Sequence, residues 1–127
     1  MVRIAFLTLL VVVLVAGCGP PGRKVYNEAK TRTCLSQKGV SFLRRLDFVA
    51  TTATGGAFKA KLSDNFVTVV FGATLDDADN INQAYQTFHS KNVGINDVLR
   101  QQGSAVMLWH VHPQDRDLAL VQGCLSS

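Results

Sequence analysis

The side chains with the most obvious chemical potential lie near the end of the chain. His110 and His112 are two residues apart in a stretch that reads as a strand. Alternate residues of a strand point the same way, so both imidazoles would share one side. Two imidazoles can begin a transition-metal site, with Asp115, Asp117 or His89 as a third ligand. His110 with Asp115 would also form part of a hydrolytic dyad. A working metal centre takes three or four convergent ligands, and only the two histidines have a ligand spacing. His112 also precedes Pro113, where a helix is expected to start. Ordinary packing or surface histidines explain the pair more simply. A small exported metalloprotein or hydrolase using His110, His112 and Asp115 is the alternative reading.

Other candidate chemistry is thinner. Asp76, Asp77 and Asp79 lack the oxygen-rich loop and closing Glu of a calcium hand, and they suit the first turn of a helix, where carboxylates favour the dipole. Ser104, Ser126 and Ser127 stand outside any G-x-S-x-G elbow. Glu28 is the one glutamate in the chain, a poor start for paired carboxylate catalysis. Gly55-Gly56 and Gly72 do not build a phosphate loop. The expectation is a protein that is not an enzyme and carries no cofactor.

A surface is the better lead. Ala57 to Ser63 alternates, with Phe58, Ala60 and Leu62 set against Lys59 and Lys61, and Phe66 to Gly72 is a second β-rich run. Asp64-Asn65 between them suits a two-residue hairpin turn needing positive φ. That turn predicts Leu62 opposite Val67, Ala60 opposite Val69 and Phe58 opposite Phe71. Opposite residues share a face, so these six form one apolar surface. Lys59, Lys61, Phe66, Thr68 and Val70 fall on the other. Lys59, Lys61, Phe66 and Val70, with Trp109 from a later strand, then make an apolar, aromatic patch with a basic rim, as partner or ligand sites often are. Cover by another strand, a loop or a second copy explains the same residues.

The chain begins with a different kind of signal. Met1-Val2-Arg3 is short and basic, Ile4 to Ala16 is apolar apart from Thr8, and small residues Ala16 and Gly17 precede Cys18. This order marks an export signal over 1–17. About thirteen apolar residues fall short of the roughly twenty that span a bilayer. Leu14-Val15-Ala16-Gly17-Cys18 resembles the lipobox of bacterial lipoproteins, a resemblance confined to residues 1–18. It implies diacylglycerol on the Cys18 thiol, cleavage before Cys18 and, in many bacteria, further acylation with a fatty acid such as palmitate. The protein would then be exported and held by membrane lipid on the outer surface of the plasma membrane or on the outer membrane. More than one acyl chain is needed for stable anchoring, and a diacylglyceryl cysteine meets that condition. The rest of the chain is similar in general look to small secreted bacterial proteins of unassigned function, which adds no mechanism.

The three cysteines fit this address. With Cys18 lipidated, Cys34 and Cys124 remain as a pair in an oxidising compartment, where a disulfide persists. No C-x-x-C spacing suggests redox chemistry. A net charge of +4, without any Lys/Arg run, is too mild to argue for nucleic acid. The expected partners are the membrane lipid and an envelope protein, polymer or lipid ligand.

Positioning these residues takes one domain over 25–127, after a lipidated cysteine and Gly/Pro linker at 18–24. A helix is expected over 26–38 with Gly39 closing it, one or two short strands over 40–52, the hairpin, a helix over 76–90 capped by Thr74 or Asp76, and a connection over 92–102. A central strand over 105–111 and a last helix from Pro113 to about Gln122, ended by Gly123, complete the chain. Strands in sequence with helices segregated from them indicate an α+β fold. It would have a small antiparallel or mixed sheet of about four strands with helices on one face, and a Cys34–Cys124 bond joining the first and last helices.

Overall fold

The computed structural model describes residues 23–89 and 94–127. Cys18, the signal segment 1–17 and the linker up to Gly22 lie outside the described residues. The fold is α+β, built on a five-stranded antiparallel sheet in the order β1-β2-β3-β5-β4. In chain order the elements are α1 (Glu28–Gln37), β1 (Ser41–Leu43), α2 (Phe48–Thr51), β2 (Ala57–Leu62), β3 (Asn65–Phe71), α3 (Leu75–Phe88), α4 (Ile95–Val98), β4 (Leu99–Gln102), β5 (Ala105–Trp109) and α5 (Asp115–Cys124). Among the described residues no helix is long and apolar enough to cross a membrane.

The hairpin is present, with a corrected register. Ala60 pairs with Val67 and Phe58 with Val69, while Leu62 pairs with Asn65. The turn therefore uses Ser63-Asp64, and Ser63 takes the positive φ of 48°. Asn65 is drawn into the strand because its side chain is needed there. Its Oδ1 accepts the backbone N–H of Phe66 at 2.9 Å and that of Val111 at 3.1 Å, and its Nδ2 donates to Val111 O at 3.0 Å. The shift is two residues, so every side chain keeps its face. All six expected apolar positions are buried.

The outermost strands are short. β1 covers part of the ambiguous 40–52 stretch, and α2 follows after a short connection, capped by Asp47 Oδ1 accepting Ala50 N–H at 2.9 Å. The expected connection at 92–102 holds α4 and the edge strand β4. β5 is interior, between β3 and β4, as its two apolar faces require. It stops at Trp109 rather than Val111, since the Asn65 side chain takes over the partnering of Val111.

The helices form two groups. Phe42 pairs with Ala60, and the Arg32 guanidinium lies 4.7 Å from the Phe42 ring centroid, so α1 packs over the Phe58–Ala60–Leu62 face. Ala119 and Leu120 of α5 border Leu62 on the same side. The Cys34–Cys124 disulfide joins these first and last helices across 90 residues, as expected. Closing a loop of that length contributes about 4–5 kcal/mol in the chain-entropy view. The second group, α2 to α4, covers the opposite face, where Tyr85, Ile95 and Val98 meet Thr68 and Leu108. The α3 cap is Thr74, whose Oγ1 accepts Asp77 N–H at 3.1 Å. Asp77 Oδ2 also accepts the Thr54 hydroxyl at 3.1 Å, and Asp79 Oδ1 accepts Gln101 Nε2 at 2.9 Å. The acidic run thus caps α3 and ties it to its neighbours. Gly123 lies within α5, which ends at Cys124.

Order begins before α1. Ser104 N–H donates to Lys24 O at 2.9 Å, and Tyr26 N–H donates to Ser104 Oγ at 2.7 Å. Gly103 has φ +52°, and a Cβ there would sit 2.1 Å from Lys24 O, so only glycine lets the two segments meet. The chain leaves the linker directly onto the β4–β5 turn.

Candidate functional site

The antiparallel register sets side chains of the α2–α4 face in rows. One row runs Leu43, Lys59, Thr68, Leu108 and Leu99; the next runs Ser41, Lys61, Phe66 and, beside Phe66, His110. His110 follows the last residue of β5, and its N–H donates to Phe66 O at 2.9 Å. α3 and α4 reach over the first row and leave the second partly open. The result is a cavity of about 250 Å³ lined by Asp47, Lys59, Phe66, Tyr85, Leu108 and His110, among others.

Phe66 organises the open side. The Lys59 ammonium lies 5.6 Å from its ring centroid, and His110 meets the ring edge-on at 5.9 Å and 77°. A cation over an aromatic face is held by the ring quadrupole without being neutralised. On the covered side the Tyr85 hydroxyl donates to Asp47, 3.0 Å from Oδ1 and 2.9 Å from Oδ2. Burial pushes the Tyr85 pKa up, and the neighbouring Asp47 charge and their hydrogen bond push it further the same way. Tyr85 is therefore held protonated, as a fixed hydrogen-bond donor to Asp47.

The surface expected from sequence is only partly assembled. Lys59 and Phe66 line the cavity, and Lys61 is exposed beside Phe66 as its cross-strand partner. Val70 is a correction. Val70 pairs with Val106 beneath the helices and has 0% exposure. Trp109 pairs with Val67 and is 1% exposed, so it adds little open surface, but it does contribute to the cavity lining. Asp47, Tyr85, Thr68 and Leu108 are the additions. Asp47 and Tyr85 lie 38 residues apart, and no local pattern announces their meeting.

His110 and His112 do not share a strand face, because β5 ends before both. His110 turns to Phe66, while His112 Nδ1 lies 2.6 Å from Asp97 Oδ1 in an exposed pair. Asp115 is exposed in the first turn of α5, and Asp117 is buried beside Arg116. His89 caps the C-terminal end of α3 at the cavity wall. Among the described residues no three His, Cys, Asp or Glu side chains gather as a metal-holding group.

Comparison of the chain with protein families, with curated proteins and with solved structures finds no match.

Proposed function

We propose that the protein is a lipid-anchored envelope protein that works as a non-catalytic binding module, taking its ligand in the cavity between the sheet and α3. Cys18 carries the anchor, and the lipobox-like sequence before it is the support for that part. The observation that carries the binding reading is the cavity itself. It has an apolar, aromatic floor of Phe66, Leu108 and Val98 and a few fixed polar groups, the usual build of a ligand pocket. The polar groups do not form a nucleophile–base pair, since Tyr85 is held as a donor to Asp47.

Two measurements test this reading. Mass spectrometry of the mature protein should find an amino-terminal Cys18 bearing diacylglycerol; an unmodified Cys18 sinks the anchor. Envelope extract added to the isotope-labelled protein should move the NMR signals of Phe66, Thr68, Leu108 and Tyr85 together. Signals that move elsewhere, or not at all, sink the binding site.

A further inference from the structure

The cavity holds two formal charges, and the fold treats them unequally. Asp47 has its donors. Its Oδ1 accepts Ala50 N–H at 2.9 Å, and both its oxygens receive the Tyr85 hydroxyl. Lys59 has no anion. The ion pairs among the described residues are Arg32–Glu28, His112–Asp97 and Arg116–Asp117, and Lys59 is in none of them. Lys59 is half-buried as a residue, its ammonium lies 5.6 Å from the Phe66 ring centroid, and its other neighbours across the sheet, Leu43 and Thr68, are uncharged. A cation on a half-buried side chain, without a counter-charge among the described residues, favours an incoming anion.

The surroundings reinforce the sign. Lys61 stands one row away, paired with Phe66, and Arg44 and Arg45 follow β1 directly beyond Leu43, the cross-strand partner of Lys59. None of these three forms an ion pair with another described residue. Four cations without an ion pair among the described residues therefore lie on β2 and just after β1, and their summed field favours anions on this part of the sheet. Inside, Ile95, Val98 and Leu108 offer an apolar wall opposite the charge.

We infer that the cavity binds a small organic anion, its carboxylate-like group on Lys59 and its apolar body against Phe66, Leu108 and Val98. The volume of about 250 Å³ lies just below the range of drug-sized pockets, so the ligand is a compact monoanion or the terminal group of something larger. This inference rests on the binding reading above and adds the charge of the ligand to it.

Benzoate, its neutral isostere benzamide and acetate separate the charge from the body. The full chain, isotope-labelled and held at constant ionic strength, is titrated with each and followed through the signals of Phe66, Thr68 and Leu108. Benzoate should bind about tenfold more tightly than either benzamide or acetate, the size expected for one charge-assisted hydrogen bond or one buried ring. Lys59→Met should bring benzoate down to the level of benzamide, and Lys59→Arg should retain most of its affinity. Equal binding of benzoate and benzamide, or a Lys59→Met protein that still prefers benzoate, overturns the anion preference while leaving the cavity as a binding site. Absence of all three from the cavity overturns the inference. If envelope extract also leaves those signals unmoved, the binding reading falls with it.

Discussion

The two faces of this sheet come from the same alternating strands and are finished in opposite ways. On one, the side that carries α1 and α5, Phe58, Leu62, Val67, Val69 and Phe71 are buried. Phe42, Phe58 and Phe71 form a chain of ring contacts at 5.4 and 5.8 Å, and a disulfide ties the two covering helices together. On the other, cover fades along the strands. Val70 and Val106 are fully enclosed, Thr68 nearly so, and Phe66 with His110 reaches solvent. Positions that look equivalent in an alternating pattern are thus sorted by how far the covering helices extend. The sealed face supplies stability, and the half-covered face is free to carry a ligand.

The largest test of that contrast is the cross-link. Cys34→Ala with Cys124→Ala should lower the unfolding free energy by about 4 kcal/mol, measured by denaturant titration, while the NMR signals of Phe66, Thr68 and Leu108 on the cavity side stay unchanged. A loss below about 1 kcal/mol would mean that packing alone seals the α1–α5 face. Next in size is Asn65, whose side chain makes three hydrogen bonds that set where the hairpin turns and where β5 stops. Asn65→Ala should cost about 2 kcal/mol, because three hydrogen bonds made by one buried side chain are lost together. Unlike the cross-link variant, it should also disturb the cavity, since Phe66 and His110 flank the two ends of that clamp. An Asn65→Ala protein with unchanged Phe66 and His110 signals would separate the clamp from the cavity.

Much of this architecture is legible in the sequence, for reasons that are local. The hairpin follows from strict alternation, α3 from Thr74 and the acidic turn behind it, and the disulfide from counting cysteines once Cys18 is assigned elsewhere. The register was harder to read, because Asp64-Asn65 looks like the turn until Asn65 is needed by Val111, which lies 46 residues away. The expected surface divides for a similar reason. Lys59, Lys61 and Phe66 are placed by the hairpin alone, whereas Trp109 depends on which face of β5 meets β3, a question alternation leaves open when both faces are apolar. β4 and α2 are too short for periodicity to announce them. Asp47 reads as a capping residue and Tyr85 as part of the α3 apolar stripe; only tertiary packing reveals them as a pair.

That pair gives the smallest test, and it probes how dry the covered end of the cavity is. Tyr85→Phe removes the hydrogen bond to Asp47 and should cost about 1 kcal/mol at neutral pH. The gap between the two proteins should then depend on pH in one direction. The Tyr85 hydroxyl is held above its ordinary pKa of 10.0 by burial first and by Asp47 second. An unfolded chain releases this proton near that ordinary value, while the folded protein still holds it. Above pH 10 the unfolded state therefore binds fewer protons than the native state, and stability falls as pH rises. The contribution of Tyr85 is fully present below the ordinary value and shrinks above it, so the wild-type curve should converge on that of Tyr85→Phe between pH 10 and the onset of general alkaline unfolding. A gap that stays constant through that window would place the hydroxyl in contact with water and make the covered end of the cavity as open as its mouth.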